Sequence, residues 1–103
     1  MQSTLILCPT STKDDFLAQV KQVFENLRIA LDSMGATFND VVKLNSFVVD
    51  LPAHLDEYRE VRGQYLAKNE HPPASTTVGV ASLINPALLL EVEAVVVLPD
   101  RKK

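Results

Sequence analysis

Apolar residues recur at helical spacing in one long stretch near the beginning of the chain. Over residues 16–34 they stand three or four positions apart, and charged side chains occupy the opposite side. The members of this stripe are Phe16, Val20, Val23, Phe24, Leu27, Leu31 and Met34. The stripe predicts an amphipathic helix that buries one side. At its start Thr12 and Asp15 resemble a capping box, and at its end Gly35 stands where a left-handed residue is favoured.

A weaker apolar stripe predicts a second helix later in the chain. Pro52 suits the first turn of this helix, because the N–H that proline lacks would have no partner inside the helix. The buried side would consist of Leu55, Tyr58, Val61 and Tyr65. The helix should stop at His71-Pro72-Pro73, because the residue before a proline is pushed out of the helical region.

Four further stretches have the composition or the alternation of β-strands. The first ends at Pro9, the second is rich in β-branched residues, and the last two are joined through Asn85-Pro86. The predicted strands are residues 3–8, 41–50, 75–83 and 88–98. In the last strand two sets of residues alternate. One face carries Leu88, Leu90, Val92, Ala94, Val96 and Leu98, and the other carries Leu89, Glu91, Glu93, Val95 and Val97.

The predicted order is strand, helix, strand, helix, strand, strand, within a single domain of residues 1–103. This order indicates the α+β class, with a mixed sheet and two helices packed on one face. The other face would be partly apolar, through Leu89, Val95 and Val97, and would need a partner. Because a chain of 103 residues buries only a modest share of its surface, self-association into a trimer or a dimer would meet that need.

Charge and composition narrow the classes of function. The formal net charge of -3 disfavours binding to a phosphate backbone, and the basic residues at the end of the chain have the character of a solvated tail. No apolar stretch approaches the ~18 residues that span a bilayer, and no basic segment precedes an apolar run as in an export signal. Cys8 stands alone, so an intrachain disulfide is impossible. We therefore expect a cytoplasmic protein without nucleic-acid or membrane partners.

Five short stretches, taken together, resemble the Rid family, which is also called the YjgF family. They lie in the family's order and span most of the chain. The stretches are Asn26-Leu27, Asp40-Val41-Val42-Lys43, Phe47-Val48-Val49-Asp50-Leu51, Pro73-Ala74-Ser75-Thr76-Thr77-Val78-Gly79-Val80 and Glu91-Val92-Glu93-Ala94-Val95. The resemblance implies a chorismate-mutase-like fold assembled as a homotrimer, with ligand clefts between subunits. It also implies hydrolysis of reactive enamines and imines of the 2-aminoacrylate type to 2-keto acids and ammonia, without a metal or an organic cofactor.

The resemblance also implies roles for individual positions. In the family, an arginine in a Pro-Ala-Arg-Ser motif binds the substrate carboxylate, and that position is Ser75 in this chain. A glutamate in the last strand positions the attacking water and shuttles its proton, and Glu91 matches it. Serine carries no charge, so the loss of a bidentate, charge-assisted contact should weaken carboxylate binding by about 1.5–3 kcal/mol. The form Pro-Pro-Ala-Ser-Thr looks like that of the subgroups that lack the arginine.

Other residues are candidates for binding a small carboxylate ligand. Thr76 and Thr77 would contribute through their backbone N–H groups. Arg59 or Arg62 of the second helix would either replace the missing cation or lie along the surface with its stem packed. The family's N-terminal hairpin has no counterpart before Gln2, so either this variant is naturally short or the chain begins inside the true gene.

Each candidate also has a purely structural interpretation. Glu91 and Glu93 share a strand face, where either could be solvated or paired with a basic residue across an interface. Ser75 could satisfy the backbone at the start of a strand, and no Gly-x-Ser-x-Gly motif surrounds it. Cys8 is interpreted as a small buried hydrophobe rather than a catalytic thiol. No metal-binding motif is recognisable around either histidine, so no metal site is predicted.

Three functions are compatible with the sequence. The first is an enzyme that hydrolyses enamines or imines, which predicts an intersubunit cleft with Glu91, Ser75 and a cation. The second is a non-catalytic ligand-binding or scaffolding homotrimer, which predicts that Glu91 is paired or that the cleft is closed. The third, from an older label of the family, is a ribonuclease or translation inhibitor, and the acidic balance argues against it. The replacement at Ser75 and the missing hairpin leave catalysis open.

Overall fold

The secondary structure follows the predicted order. The computed structural model describes residues 2–9 and 15–98. Its strands are β1 (Gln2–Leu7), β2 (Val41–Val49), β3 (Ala74–Val80) and β4 (Leu90–Val97). Its helices are α1 (Phe16–Ser33) and α2 (Leu51–Leu66), with a short 3₁₀ helix at Phe38–Asp40. The predicted alternation of strands and helices is therefore confirmed within the described ranges.

The strands form one mixed sheet in the order β1-β4-β2-β3. β4 runs antiparallel to both β1 and β2, whereas β3 runs parallel to β2. A parallel pair needs a crossover connection, and α2 supplies it between β2 and β3. A bulge between Val41 and Lys43 shifts the pairing of β2 with β4. β1 and β3 form the two edges of the sheet within the described chain.

Both helices pack against the same face of the sheet, which we call the helix-covered face. In β4 this face carries Leu90, Val92, Ala94 and Val96, all fully buried. In α1 the predicted apolar stripe is buried up to Leu31, and Met34 packs half-buried against the core. The alternation predicted for the last strand is thus confirmed from Leu90 to Val97. The core forms where the buried side chains of β4, which are every second residue, pack against the apolar stripe of α1.

Both ends of α1 are closed by specific hydrogen bonds. The Asp15 side chain accepts from the Ala18 N–H at 3.1 Å, so Asp15 is itself the N-cap. Thr12, the other half of the predicted capping box, lies outside the described residues. At the other end Gly35 has a φ of 71°, and the N–H of the following residue donates to the Leu31 carbonyl at 2.9 Å. This is a Schellman motif, so the predicted role of the glycine is confirmed.

The start and the buried side of α2 agree with the prediction. Pro52 lies in its first turn. Of the predicted stripe, Tyr58 and Val61 are buried, whereas Leu55 and Tyr65 are half-buried. Neither helix in the described chain is long and apolar enough to cross a membrane.

α2 ends earlier than the prolines that follow it predict. Its last residue is Leu66. Beyond this point the chain is held by groups from the 3₁₀ helix. The Asn69 side chain donates to the Phe38 carbonyl at 3.0 Å, and the Asn39 side chain accepts from the Glu70 N–H at 2.9 Å. These bonds stabilise a non-helical path, and they join positions too far apart in the chain for a local pattern to reveal them.

One buried side chain holds the connection between β3 and β4. β3 ends at Val80 and β4 begins at Leu90, so both strands are shorter than predicted. Gln19 of α1 is fully buried, its Nε2 donates to the Ala87 carbonyl at 3.2 Å, and its Oε1 accepts from the Leu89 N–H at 2.8 Å. These bonds satisfy the Ala87 carbonyl and the Leu89 N–H immediately before β4, while the Leu89 carbonyl accepts from the Val49 N–H of β2. The helical pattern of α1 did not predict this role.

The opposite side of the sheet, which we call the open face, carries no helix in the described part of the chain. Val95 and Val97 lie on it as predicted, and Val97 is 41% exposed. Ile6 and Val78 share this face and are 63% and 40% exposed. Leu89 is a correction: it precedes β4, is half-buried and packs against the core. An exposed apolar surface of this kind is typical of an interface.

Candidate functional site

The strand register brings side chains from three strands into one row across the open face. Glu91 of β4 lies opposite Phe47 of β2, and Phe47 in turn lies opposite Val78 of β3. Since directly paired residues point to the same side of a sheet, these three side chains share the open face. Glu91 is half-buried, so apolar neighbours partly shield its carboxylate from solvent.

Glu91 and Glu93 differ in their partners. The Glu93 carboxylate accepts a hydrogen bond from Asn45 Nδ2 at 3.0 Å, and the two residues lie opposite each other in the sheet. No hydrogen bond or ion pair joins the Glu91 side chain to another group within residues 2–9 and 15–98. Glu93 therefore serves the packing of the sheet, whereas the Glu91 carboxylate is available to a ligand or to water.

Cys8 lies beside Glu91 at the end of β1. β1 pairs with β4 as far as Leu7 and Val92, so the next residue of β1 approaches Glu91. Burial raises the pKa of the Cys8 thiol, and the negative charge of Glu91 raises it further. A thiol with a raised pKa stays protonated at neutral pH and is a poor nucleophile. Cys8 is half-buried rather than fully buried as predicted, and its raised pKa disfavours a catalytic thiol.

Replacing Glu91 with glutamine should lower the pKa of the Cys8 thiol, because it removes a negative charge that disfavours the thiolate. Burial persists in the variant, so the pKa should remain above its ordinary value. The check is the pH dependence of thiol alkylation, whose midpoint should move to lower pH. Glu93→Gln is the control, because Glu93 is not a cause of the shift. An unchanged midpoint in Glu91→Gln would mean that the carboxylate and the thiol are not neighbours.

Ser75 lies on the other side of the sheet, at the start of the edge strand β3. It pairs with Leu44 of β2, which pairs with Ala94 of β4. Leu44 and Ala94 are fully buried beneath the helices, so Ser75 lies on the helix-covered face. Ser75 is itself exposed, and its hydroxyl accepts a hydrogen bond from Arg62 Nη1 at 3.3 Å.

An aromatic ring holds Arg62 in place on α2. The guanidinium carbon lies 5.4 Å from the centre of the Tyr58 ring, within the range of a cation–π contact. Tyr58 is fully buried, and its hydroxyl hydrogen-bonds the Ser46 hydroxyl of β2. Arg59, predicted to bind substrate, is exposed on the same helix. The contact with Ser75 comes from Arg62.

The two threonines after Ser75 point to opposite faces. Thr76 pairs with Asn45 and therefore lies on the open face. Thr77 pairs with the buried Ser46 and therefore lies on the helix-covered face. The predicted ligand-binding segment is thus divided between the two sides of the sheet.

Within one chain, the predicted site residues do not meet. Ser75 and Glu91 lie on opposite faces. They are also two strand spacings apart, which is about 10 Å across the sheet. Ser75 stands three residues before Val78, which lies in the row of Glu91, and this offset adds about another 10 Å along the strands. A small molecule bound at one of the two residues cannot touch the other, so a cleft that contains both needs groups from two subunits.

An open pocket of about 400 Å³ lies elsewhere, between the 3₁₀ helix and the end of α2. Its lining is Thr37, Phe38, Asn39, Gln64, Tyr65, Ala67, Lys68 and Asn69. None of the predicted site residues lines it, and two of its amides already hold the backbone after α2. In the described part of the chain, no three His, Cys, Asp or Glu side chains are grouped so that they could hold a metal ion. The pocket and the candidate functional residues therefore lie in different places. We assign the site from the chemistry of the candidate residues and not from the pocket.

Two contacts at the site escaped the sequence patterns. The sequence assigns Tyr58 only to the buried stripe of α2, but its ring also makes a cation–π contact with Arg62. The sequence assigns Cys8 to packing alone, but it lies beside Glu91. An antiparallel pairing of the first and last strands would have revealed the second contact. The spacing of Tyr58 and Arg62, four residues apart on one helix, could have revealed the first.

Comparison with known proteins identifies the family of this arrangement. The family model described as Endoribonuclease L-PSP matches residues 8–98. The fold matches the crystal structure of a member of the YjgF/YER057c/UK114 family from Mycobacterium tuberculosis, with a TM-score of 0.79 and 33% identity, over 91% of this chain and 75% of that one. The chain belongs to the Rid (YjgF) family. The resemblance carried by the five stretches is thus confirmed, as is the chorismate-mutase-like fold.

Curated relatives of this Rid-family chain are longer than the part that aligns. A RutC family protein of Pyrococcus abyssi is 35% identical over 83 residues, which cover 81% of this chain and 62% of that protein. A 2-iminobutanoate/2-iminopropanoate deaminase of Dermatophagoides farinae is 35% identical over 83 residues, which cover 78% of this chain and 59% of that protein. The chain thus spans less than two thirds of the length of these relatives.

Proposed function

We propose that this Rid-family chain hydrolyses small imines and enamines that bear a carboxylate, of the 2-aminoacrylate type, to 2-keto acids and ammonia. Family membership supports the proposal, as does the relative named as a 2-iminobutanoate/2-iminopropanoate deaminase. The observation that carries it is Glu91, a half-buried carboxylate with no hydrogen bond or ion pair to another group in the described residues. A scaffolding role predicts either a paired Glu91 or a closed cleft, and in the described residues the paired glutamate is Glu93.

Glu91 would act on a water molecule. An enamine substrate first takes a proton on its terminal carbon and loses one from its nitrogen, which gives the imine. The Glu91 carboxylate then accepts a proton from water while the water oxygen bonds to the imine carbon and C=N becomes a single bond. The nitrogen takes up the proton, the C–N bond breaks, and ammonia leaves as the hydroxyl loses its proton to become the keto group. One imine and one water give one 2-keto acid and one ammonia, so the balance requires no redox partner.

The proposed cleft lies between subunits of a homotrimer. Because Ser75 and Glu91 occupy opposite faces of one sheet, a neighbouring subunit would have to bring the ligand-binding groups to Glu91. The exposed apolar side chains of the open face support such an association. A domain of this size gains stability when it covers apolar surface against a partner.

The charge of the chain favours a small anion over RNA, although the family model carries the description of an endoribonuclease. The formal net charge is -3. The open face carries Glu91 and Glu93, with Lys43 as a single opposing charge among the paired positions of β2. A polyanion needs a broad basic surface, whereas one carboxylate needs a single cation and a few hydrogen-bond donors.

The experiment that tests the proposal is an assay of 2-keto acid release from 2-aminoacrylate and related imines generated in solution. Addition of the purified chain should accelerate release above the spontaneous rate in proportion to its concentration. The mass of the same preparation is measured by sedimentation, and a trimer is expected. No acceleration with any of several imines would refute hydrolysis, and the non-catalytic ligand-binding homotrimer would then be the better description.

A further inference from the structure

Arg62 is half-buried beside a neutral partner. Its guanidinium contacts the Ser75 hydroxyl at 3.3 Å and lies 5.4 Å from the centre of the Tyr58 ring. No carboxylate of the described chain lies within ion-pair distance of it. The helix itself offers none, because the residues three and four positions away are Tyr58, Arg59, Tyr65 and Leu66. The positive charge of Arg62 is therefore not neutralised by its own surroundings.

The contacts of Arg62 orient it without saturating it. At 3.3 Å the bond to Ser75 is longer than the usual range of about 2.7–3.2 Å, so an incoming acceptor could replace or share it. The guanidinium has further N–H donors in a planar fork that matches the two oxygens of a carboxylate. Tyr58 fixes the position of the fork, since it is fully buried and hydrogen-bonded to Ser46. An arginine that is already positioned loses less conformational entropy when it binds a ligand.

We propose that Arg62 and Ser75 form the subsite that binds the carboxylate of the small ligand. The guanidinium of Arg62 takes the two carboxylate oxygens, and the Ser75 hydroxyl donates to one of them. This assignment rests on the proposed function for the class of ligand, and it names the residues that recognise that class. Ser75 stands where the family resemblance implies an arginine. Arg62, which lies on α2 and not on β3, places its guanidinium beside this position.

Arg62, rather than Arg59, is the arginine that fits this role. Arg59 is exposed on α2, and it makes no hydrogen bond to the start of β3 in the described chain. Arg62 combines partial burial, an aromatic platform and the hydroxyl of Ser75. Partial burial strengthens an interaction between opposite charges, because less water screens it.

The test is an NMR titration that measures direct binding of pyruvate to the full chain. Pyruvamide, which lacks the charge of the carboxylate, is titrated for comparison. The wild-type chain should bind pyruvate in preference to pyruvamide. Arg62→Gln should weaken pyruvate binding by about 10- to 100-fold, and Ser75→Ala should weaken it by about 2- to 10-fold. Arg62→Lys, which keeps the charge and tests for a folding defect, should recover part of the affinity. Lys21→Gln on the exposed side of α1 removes the same charge and should leave binding unchanged.

Three outcomes of the binding experiment would overturn the assignment: no pyruvate binding by the wild-type chain, unchanged binding in Arg62→Gln, or a loss that follows Arg59→Gln instead. Kinetics separates this inference from the proposed hydrolysis. Arg62→Gln should raise KM and leave kcat nearly unchanged, because the carboxylate keeps its charge during hydrolysis and the guanidinium binds it similarly in the ground and transition states. Hydrolysis with an unchanged KM in this variant would refute the subsite and leave hydrolysis standing. Arg62-dependent pyruvate binding without hydrolysis of any imine would support the subsite and refute hydrolysis.

Discussion

Glu91→Gln is expected to lower kcat for imine hydrolysis by about 10²- to 10⁴-fold. Glutamine keeps the size of the side chain and its capacity for hydrogen bonds, but it cannot accept a proton from the attacking water. The Glu91 side chain makes no hydrogen bond or ion pair to another group in the described chain, so the substitution breaks no such contact that holds the sheet. The free energy of unfolding should therefore change by less than about 0.5 kcal/mol. The measurement is 2-keto acid release at saturating imine, with the spontaneous rate subtracted.

Glu93→Gln is the matched control for this prediction. It makes the same change of charge on the same strand and the same face, two residues further on. Glu93 accepts from Asn45 Nδ2 at 3.0 Å, a contact that serves the sheet and not the substrate. We expect its kcat to stay close to the wild-type value. Equal losses in the two variants would contradict the role of Glu91, because they would implicate the overall charge of the open face.

Gln19→Leu is expected to lower the free energy of unfolding by about 2–3 kcal/mol, a large share of the stability of a small domain. Leucine fills a similar volume, but it leaves the Ala87 carbonyl and the Leu89 N–H without the bonds that the buried amide makes. An unsatisfied buried polar group costs more than the bond itself contributes, since its hydration is also lost. Denaturant unfolding measures the effect, at matched protein concentration because association also contributes to stability.

Gln64→Leu is the control for the substitution at Gln19. Gln64 is exposed on α2, so the same change of side chain should alter the free energy of unfolding by less than about 0.5 kcal/mol. If Gln19→Leu proved as stable as the wild-type chain, the backbone before β4 would have to be satisfied by some other group. The assignment of Gln19 as the residue that holds this connection would then be wrong.

The parts of the fold that the sequence predicts well are those that local periodicity determines. The stripe of α1 and the alternation in β4 each follow from repeated burial of one side of a regular element. The left-handed Gly35 follows from a conformation that other residues adopt at a cost. The end of α2 is different, because side-chain bonds from the 3₁₀ helix hold the chain after Leu66. Such bonds join positions that are distant in the sequence. A prediction from neighbouring residues therefore places the end of α2 too far along the chain.

The candidate site divides in the same way. Alternation along β4 predicts that Glu91 and Glu93 share a face. Only the pairing with β2 shows that the Asn45 side chain donates a hydrogen bond to Glu93 and not to Glu91. The motif that contains Ser75 predicts a ligand-binding position, yet the parallel pairing of β3 with β2 places it on the face opposite Glu91. The sequence favours Arg59 as the substrate-binding arginine, with Arg62 as an alternative, whereas in the structure Arg62 makes the contact with Ser75.

The sequence by itself determined the order of the elements, the buried sides of the two helices and of the last strand, the family and the identity of the candidate residues. These properties depend on residue type and on spacing along the chain, which a sequence records directly. Tertiary structure alone decided the strand register, the separation of Ser75 from Glu91, the approach of Arg62 to Ser75 and the burial of Gln19. Each of these depends on which distant segments become neighbours. That choice is made by the packing of the whole core, where many weak contacts act together and no single stretch of sequence carries the result.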